Sequence, residues 1–538
     1  MKRILFLLTL LGALTACEPT ERTNPEAKHP RTPAQPAETP AEQPTPPPPS
    51  VETPKAETPA PPQQPKDEPK PEAEPTPAHH PALSVLVIRA TQQDYSPLLP
   101  WEKQRPSDDS SLGVYLGEGR VLTLARPLRA ATYIELSPPD ESRSVPARVL
   151  RRDDNLNLAL VTVEHEADAD LFKDIPPLAL GAPLAQGEEA GVAGFVDGLT
   201  PFLIPGSVQG STNGLPRQNL RTMAPVPDGN EDGVPLVREG KLVGIADSSD
   251  DSSQTVRVIN AELIERFLKD NHVCGTPLLG LQFTELNDPV LRRYLELPEG
   301  ETGLYVSKVI PGGAAAAAGL QDGDVITALE EMPIDSRGRV NHPLYGPIDA
   351  GSALRILKPL GETLTFTLFR NGEQVKLPVA LNRNITDTPL RRELTPGEAP
   401  RYILWGGLLF QPLTQTYFNA LRSSSHGELP LSFLRLQQQD KELTEQGIRE
   451  VVALTLIIPT PATLGYEESR FSVVKAVNGK PVHDFAEFEQ LLDEPTEDNI
   501  TSVTIDRAPY TLYIDRSAAE SANDLIRRRG IPTLRVTE

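Results

Sequence analysis

The sequence predicts a mostly β protein whose globular part follows a long disordered N-terminal segment. Three observations lead to this fold class. Of the 57 prolines among 538 residues, 21 lie between Glu18 and Ala82, a stretch that has no aromatic residue. From residue 83 onward, short runs rich in β-branched residues alternate with Gly, Pro and Asp turns, as in sandwiches and barrels. The 456 residues after Ala82 suffice for two or three domains with hydrophobic cores.

Residues 1–17 predict a lipoprotein signal peptide. Two basic residues precede an apolar run over residues 4–14, which is too short to span a bilayer because a span takes roughly 20 residues. The run ends in Leu-Thr-Ala before Cys17, which resembles a bacterial lipobox with Cys17 as the lipidated residue. An ordinary signal peptide with a chance cysteine is the alternative. Because residue 18 is Glu and not Asp, the resemblance implies the outer membrane, with the body facing the periplasm.

Residues 18–82 predict a disordered, proline-rich linker. Such a composition buries too little apolar surface to offset its ordering entropy, and proline favours extended polyproline II. At about 3.1 Å per residue, the linker would reach on the order of 200 Å. We therefore expect a spacer that holds the body away from a membrane.

The charge and the cysteine count exclude several classes of protein. The net charge is −22, of which −19 falls after residue 82, so binding to nucleic acid or directly to anionic lipid is not expected. The lipid anchor is then the only expected membrane contact. Cys17 and Cys274 are the only cysteines, which excludes a disulfide scaffold and a cysteine-based zinc site. We expect no cofactor and no metal.

Residues 83–272 predict the first domain. Short strand runs end in a helix over Asn260–Lys269, which Asn260 can cap. Three segments in chain order resemble the HtrA/Deg family of serine proteases: Gly113–Arg126, Asn157–Leu160 and Gly229–Ile245, which are similar to the family's strand pair before L-T-N-A-H, its D-(L/I)-A-L, and its G-N-S-G-G-P with the following strand. This resemblance implies a trypsin-like double β-barrel. Leu99-Pro100-Trp101 and the downstream layout resemble the plant-type Deg branch.

The positions of the family's catalytic triad carry other residues. The resemblance puts His on Arg126, Asp on Asn157, and Ser on Asp232 or Glu231, because the loop has one extra residue. Arginine keeps its proton up to about pH 12 and cannot act as a general base. Asn157 has no charge to orient an imidazole, and a carboxylate is not a hydroxyl nucleophile. We therefore expect no triad proteolysis.

Two hypotheses about this site can be checked. Arg126 and Asp232 (or Glu231) would face each other, so we expect an ion pair. Loss of one partner would cost about 3–5 kcal/mol if the pair is buried, whereas an exposed pair contributes about 0–1 kcal/mol. A rival catalytic interpretation needs another nucleophile, for which Ser207, Ser211 and Ser248 are the nearest candidates.

We interpret His272 and Cys274, two positions apart, as part of an ordinary linker.

Residues 277–382 predict the second domain. Leu279–Phe283 resembles the carboxylate-binding loop of PDZ domains, in which N–H groups hold a terminal carboxylate and a strand edge pairs with a peptide. Pro311–Ile326 is similar to the PDZ pattern P-x-S-P-A…A-G-L-x-x-G-D-x-I. We expect a groove helix over Ser352–Lys358 and a hairpin turn at Asn371-Gly372. The candidate peptide-binding residues are Leu279, Gly280, Leu281, Gln282, Phe283, Ser352 and Leu354, although Leu281 and Leu354 have a core role as the alternative.

Residues 400–538 predict the third domain, a divergent PDZ domain. Arg401–Thr414 resembles the opening of the second PDZ domain of plant-type Deg proteins, and Val473–Val482 is similar to a strand–turn pattern. Helices are expected over Phe485–Leu492 and Ser517–Arg528. Because A-G-L-x-x-G-D has no counterpart here, we expect a role in internal packing or oligomerisation.

Together, the resemblance and the substitutions predict a lipid-anchored pseudoprotease of the bacterial cell envelope. It would bind unfolded segments or C-termini of proteins through its PDZ domains, as a holdase, scaffold or adaptor. Two alternatives remain: a serine endopeptidase with unconventional or residual activity, and a structural envelope scaffold. The family resemblance also implies a homotrimer or co-assembly with an active protease.

Overall fold

The structure, a computed structural model, describes residues 79–211, 217–227, 232–250, 252–385, 390–424 and 428–537. The predicted signal peptide with Cys17, residues 18–78 of the predicted linker, and Glu231 lie outside the described residues. In the described part of the chain, no helix combines the length and the apolar character needed to cross a membrane.

Two closed six-stranded β-barrels form the first domain, which confirms the predicted fold class. The strands are β1 (Val85–Gln92), β2 (Ser107–Gly117), β3 (Arg120–Leu124), β4 (Ala131–Ser137), β5 (Val145–Asp153), β6 (Leu158–Val163), β7 (Glu189–Val196), β8 (Thr200–Ser211), β9 (Gln218–Thr222), β10 (Pro235–Arg238), β11 (Lys241–Asp250) and β12 (Thr255–Asn260). The barrel orders are β1-β2-β3-β6-β5-β4 and β10-β11-β12-β9-β8-β7. Closure leaves neither barrel a free strand edge.

Helix α1 (Ala261–Leu268) follows the second barrel, and its predicted cap is confirmed: the Asn260 side chain accepts from the N–H of Ala261. Its apolar face lies in a core shared by both barrels. The first strand begins at Val85, two residues after residue 83, where we placed the start of the β-rich runs. Leu83 is 43% exposed in a 3₁₀ turn over Pro81–Ser84, because proline fixes a turn conformation there.

The second domain pairs a six-stranded sheet with short helices. Its strands are β13 (Leu281–Glu285), β14 (Leu304–Val309), β15 (Val325–Leu329), β16 (Met332–Pro333), β17 (Arg339–His342), β18 (Gly346–Asp349), β19 (Thr363–Arg370) and β20 (Glu373–Ala380), and its helices are α2 (Pro289–Tyr294), α3 (Ala314–Ala318) and α4 (Ala350–Ile356). The main sheet runs β13-β14-β15-β19-β20, with β16 on β15 and β17 on β18.

Two local predictions for the second domain can be compared with the structure. The groove helix α4 begins two residues before the predicted Ser352, because Asp349 caps it by accepting from the Ser352 N–H at 2.9 Å. It ends at Ile356, short of the predicted Lys358. The Asn371-Gly372 turn is confirmed: both residues have positive φ, 52° and 77°.

The third domain is built on one sheet in the order β27-β26-β24-β23-β22-β21-β28. Its strands are β21 (Tyr402–Trp405), β22 (Leu408–Pro412), β23 (Val452–Ile457), β24 (Ser472–Val477), β25 (Lys480–Pro481), β26 (Ile500–Ile505), β27 (Thr511–Asp515) and β28 (Arg535–Val536), and its helices are α5 (Gln415–Ser424), α6 (Leu431–Leu436), α7 (Asp440–Glu445), α8 (Phe485–Asp493) and α9 (Arg516–Arg528). Both predicted helices are confirmed within one residue at each end.

Each of the two later domains contacts the first. Tyr345, between β17 and β18, is 1% exposed, and its hydroxyl donates to Glu262 of α1 at 3.0 Å. Trp101, between β1 and β2, packs edge-on against Tyr402 with ring centroids 6.1 Å apart. These contacts fix both later domains against the barrels.

Candidate functional sites

The three positions that the resemblance assigns to the triad meet at the junction of the two barrels. Arg126 opens a 3₁₀ turn directly after β3, Asn157 precedes β6, and Asp232 lies just before β10. The backbone N–H of Arg126 donates to Asn157 Oδ1 at 2.8 Å. The Arg126 guanidinium donates to the Asp232 carboxylate, so the expected ion pair is confirmed. Its side chains are 45% and 31% exposed, which corresponds to the weaker of the two energies considered.

Backbone geometry fixes Asp232. Its carbonyl accepts from the N–H of Leu112 on β2 at 2.9 Å. The next residue, Gly233, has a φ of 85°, and a Cβ there would lie 2.0 Å from the Leu112 carbonyl oxygen. Only glycine fits this position. The hydrogen bond to Leu112 and the close approach of Gly233 therefore keep Asp232 beside β2.

Two charged residues of this site were missed in the sequence analysis. Asn157 Nδ2 donates to Asp247 Oδ1 at 2.6 Å. The other carboxylate oxygen of Asp247 lies 3.5 Å from Nε of Arg217, and the two side chains are 13% and 5% exposed. The signal was weak: Asp247 directly follows the apolar run of β11, but Arg217 lies outside the strands, just before β9. Asn157 is therefore held on both sides of its amide.

Burial and ion pairing act in opposite directions on the charges of this site. Burial raises the pKa of the Asp232 carboxyl, an effect that Asp247 and Asp109 reinforce and Arg126 opposes. Burial lowers the pKa of Arg217, and Asp247 opposes that shift. These five side chains include no imidazole and no hydroxyl. The described network therefore lacks the hydroxyl nucleophile and the imidazole base of a serine-protease triad, although its carboxylates can accept protons.

The alternative serines lie on the second barrel without a base. Ser207 is exposed on β8, and Ser248 is half-buried on β11. The Ser211 hydroxyl donates to the carbonyl of Tyr345. Within the described ranges, none of the three hydroxyls hydrogen-bonds a histidine, so none has the partner that activates a serine.

The segment that contains His272 and Cys274 is not an ordinary solvated linker, so that interpretation was wrong. The His272 side chain is 2% exposed, and its Nε2 lies 2.7 Å from Asp153 Oδ2. Burial raises the pKa of the Cys274 thiol to about 11, which keeps it protonated at neutral pH and unsuited to nucleophilic attack. Among the other histidines, His165 is exposed and His426 lies outside the described residues.

The predicted carboxylate-binding loop of the second domain has free backbone donors. The carbonyl of Gly280 accepts from Ile310 at 2.8 Å, and that of Leu279 accepts from Ala315 at 3.0 Å. The N–H groups of Leu279 and Gly280 donate to no acceptor in the part of the chain that the structure describes. Gly280 has a φ of 68°. The loop thus has two N–H groups able to hold an anion.

Strand β13 continues from this loop along the open edge of its sheet, where Leu281, Gln282 and Phe283 are half-buried. A Cβ added at Gly351 of α4 would lie 3.2 Å from the Phe283 ring, so strand and helix flank one groove. Ser352 is 8% exposed within the helix cap, and Leu354 is 3% exposed in the core. The loop and β13 are accessible to a ligand, whereas Leu354 has the core role given as its alternative.

A cavity of about 910 Å³ borders this loop. Its walls include Gly280 and the turn 310–313 of the second domain, and residues of α7 and its surroundings from the third. Four arginines line it: Arg355, Arg383, Arg391 and Arg449. Glu393 and Asp440 also line it, and Arg391 is paired with Asp440, so the lining has an excess of two positive charges beside the free N–H groups.

The equivalent strand of the third domain is covered. Leu408 and Phe410 of β22 pair with Ile457 and Leu454 of β23, in the same register and with the same bulge as β13 on β14. The outer edge of β22 pairs with β21, and β21 pairs with β28. The backbone groups that are open in the second domain are thus hydrogen-bonded within the third.

Three family models match this chain. A trypsin-like peptidase domain matches residues 112–245, and PDZ domains match residues 277–381 and 393–536. The fold and these matches define a trypsin-like peptidase domain followed by two PDZ domains.

Named relatives agree with these matches. The chain is 26% identical to Protease Do-like 2, chloroplastic, of Arabidopsis thaliana over 466 residues, which covers 83% of this chain and 73% of the relative. It is 25% identical to the periplasmic pH-dependent serine endoprotease DegQ of Escherichia coli over 318 residues, 55% of this chain and 65% of DegQ. The solved structure of the HtrA-type protease AlgW with decapeptide aligns with a TM-score of 0.40 at 21% identity, over 56% of this chain and 95% of that one. These relatives are Do-like and Deg proteases, which confirms the predicted resemblance to the HtrA/Deg family.

Proposed function

We propose that this protein is a membrane-tethered pseudoprotease of the HtrA/Deg type that binds peptides or protein C-termini through its second domain. The observation that carries the proposal is the ion pair between Arg126 and Asp232, with Asn157 bound to both the Arg126 backbone and Asp247. Each triad position then carries a residue that cannot perform its role.

The chemistry of these residues argues against acyl transfer. A triad needs a hydroxyl nucleophile, a base with a pKa near the working pH, and a carboxylate that orients the base. Arg126 stays protonated, and Asp232 is an acceptor paired with it. The rival function, residual serine endopeptidase activity, is favoured by the names of the relatives, which are proteases.

Peptide binding rests on the open side of the second domain. The free N–H groups of Leu279 and Gly280, the open edge of β13 and the four arginines of the neighbouring cavity suit a peptide that ends in a carboxylate. The peptide would add a strand to β13 and place its terminal carboxylate at the loop.

The proposal includes the organisation of the whole chain. A lipid on Cys17 and a linker over residues 18–82 would tether the body to the outer membrane on its periplasmic side. The first, second and third domains would span residues 83–272, 277–382 and 400–538. A homotrimer, or co-assembly with an active protease, would let the protein act as an adaptor or scaffold. The third domain would serve in packing.

The catalytic part is tested with the full chain carrying Cys17→Ser, which removes the site of lipidation. We expect neither cleavage of unfolded casein nor labelling by a fluorophosphonate probe, with DegQ as the active control. Labelling of a serine, lost when that serine is substituted, would overturn the pseudoprotease proposal.

The binding part is tested on the same chain with a library of free C-terminal peptides and their C-terminally amidated copies. We expect at least about tenfold weaker binding after amidation, because the amide lacks the charge that the loop holds. Equal affinity for both forms would mean that the loop does not bind a terminal carboxylate.

A further inference from the structure

Three metal-ligating side chains come together outside both sites described above. Asp153 ends β5, while His272 and Cys274 lie in the segment between α1 and the second domain. One donor atom from each residue lies within 4.8 Å of the other two. The Asp153 and His272 side chains are 1% and 2% exposed, and Cys274 is half-buried. Oxygen, nitrogen and sulfur donors therefore converge at one place beneath the surface.

Hydrogen bonds of the fold hold the residues there. Arg151 donates to the carbonyls of Phe267 and Lys269 at 2.7 and 2.8 Å, which fixes the end of α1 on β5. The N–H of His272 donates to the Lys269 carbonyl at 3.1 Å, which turns the chain back towards Asp153. The ring nitrogens of His272 and the sulfur of Cys274 take part in none of these hydrogen bonds.

The carboxylate of Asp153 is fixed in the same way. Its Oδ1 accepts from the N–H groups of Asn155 and Leu156 at 2.9 and 3.1 Å. Its Oδ2 faces His272. One oxygen thus caps a turn while the other is directed at the convergence point.

His272 is incompletely satisfied as a structural residue. Its Nε2 bonds to Asp153, but its Nδ1 is buried and has no hydrogen-bond partner in the described part of the chain. A buried polar atom without a partner calls for a specific explanation, such as an ion or a water at the site. Cys274 forms no disulfide, so its sulfur is also available.

We propose that Asp153, His272 and Cys274 bind a thiophilic divalent cation of the Zn²⁺ class, a site with one cysteine ligand that the cysteine count alone led us to exclude. Carboxylate oxygen, imidazole nitrogen and thiolate sulfur are the ligands that Zn²⁺ takes in proteins, whereas a thiolate disfavours Mg²⁺ and Ca²⁺. A thiolate and a carboxylate together neutralise the charge of a divalent cation, which a buried site requires. On binding, the thiol releases its proton to solvent. Three protein ligands leave one position for water.

Such a cation would link the first domain to the segment that enters the second. It would bind the end of β5 through Asp153 and the segment 269–276 through two residues. Asp153 also caps the turn through Asn155 and Leu156, directly before Asn157. The site is therefore connected through the backbone to the junction of the barrels.

The test uses the full chain carrying Cys17→Ser, in which Cys274 is the only thiol. We expect one Zn²⁺ per chain in competition with a chromophoric chelator. Substitution of Co²⁺ should give the near-ultraviolet charge-transfer band of a thiolate–metal bond. Cys274→Ser and His272→Gln should each weaken Zn²⁺ binding at least about tenfold, with loss of the band in Cys274→Ser.

A matched control and a folding check keep the result clear. His165→Ala removes an exposed histidine of the same barrel and should leave Zn²⁺ binding unchanged. Cys274→Ser replaces a half-buried atom by a similar one, so its circular dichroism and metal-free melting temperature should match the parent. Absence of stoichiometric Zn²⁺ from the folded parent, or equal Zn²⁺ affinity in Cys274→Ser, would overturn the proposal.

Discussion

The second and third domains build the same strand pair but leave it in different states. In both, a glycine carbonyl accepts from an isoleucine N–H, Gly280 from Ile310 at 2.8 Å and Gly407 from Ile458 at 2.7 Å. The strand that follows has the same register and the same bulge. In the second domain its outer edge is open, whereas in the third β21 covers it.

The difference shows that the loop and its strand do not by themselves make a peptide site. A peptide can add to a sheet only where N–H and C=O groups are unpaired. In the third domain the chain has already paired them. Its sheet also contacts the first domain, since the Gln411 side chain donates to the carbonyl of Pro97 at 3.1 Å. The same motif can thus leave its strand edge open or pair it internally.

The largest effect is expected where the third domain is closed. Leu534 is 8% exposed, and its carbonyl accepts from the N–H of Leu404 on β21 at 2.7 Å. Leu534→Ala should lower the free energy of unfolding by about 2–3 kcal/mol, because it empties the core behind the covering strands. Urea unfolding measures this change. The exposed control Leu464→Ala should change the free energy of unfolding by less than about 0.5 kcal/mol. Equally small effects in both variants would contradict a stabilising role for the core behind the covering strands.

A smaller effect is expected at the open loop. A Cβ at Gly280 would lie 2.8 Å from the Cα of Gly313. An alanine there would also have to adopt a positive φ. Gly280→Ala should therefore displace the N–H groups and weaken peptide binding at least about tenfold, or ~1.4 kcal/mol. Fluorescence anisotropy with a free C-terminal peptide measures the affinity.

The equivalent substitutions in the third domain are the controls. Gly407→Ala would bring a Cβ 2.5 Å from the Ile458 carbonyl oxygen, so it should lower the melting temperature. Gly479 also has positive φ, but open space surrounds its missing Cβ. Neither Gly407→Ala nor Gly479→Ala should change peptide affinity more than about twofold. A loss of affinity in Gly407→Ala would place peptide binding in the third domain.

The barrel junction can be compared with the covered strand edge of the third domain, because in both places the chain's own residues occupy the site. The pair of Arg126 and Asp232 is half-exposed, so Arg126→Ala should change the free energy of unfolding by no more than about 1 kcal/mol. A double-mutant cycle with Asp232→Ala measures the coupling. A loss of about 3 kcal/mol or more would assign the pair to the buried class.

The smallest effect concerns the contact between the later domains. Lys308 of β14 donates to Glu442 of α7 at 2.6 Å, and this bond holds the pKa of Glu442 below its usual value. The stabilisation is therefore present above the unfolded pKa of about 4.3 and is lost as pH falls through the lower folded pKa.

The readout is the difference in melting temperature between the parent and Lys308→Met. We expect this difference to be constant from about pH 7 to pH 5.5 and to be lost as the pH falls through the lowered pKa of Glu442. A difference that persists after Glu442 is protonated would mean that the lysine acts through its other contact, the carbonyl of Gln438 at 3.0 Å.

Local sequence signals were sufficient wherever a structure depends on neighbouring residues. Asn260 caps α1, and Asn371-Gly372 turns between β19 and β20. The signals failed where a cap or proline shifts a boundary, as at Leu83 and at Ser352. The ion pair of Arg126 could be predicted because the resemblance aligned its partner. Asp247 could not, because its role depends on Asn157 and Arg217, which are distant in the sequence.

The amino-acid sequence by itself determined the order of domains and the residue types at the triad positions, since both follow from local composition and chemistry. Tertiary structure alone decided which strand edge is open and which buried groups meet. Asp153 and His272 are 119 positions apart, and Gln411 and Pro97 are 314 apart. Contacts across such separations depend on how whole sheets pack, and no local pattern encodes that packing.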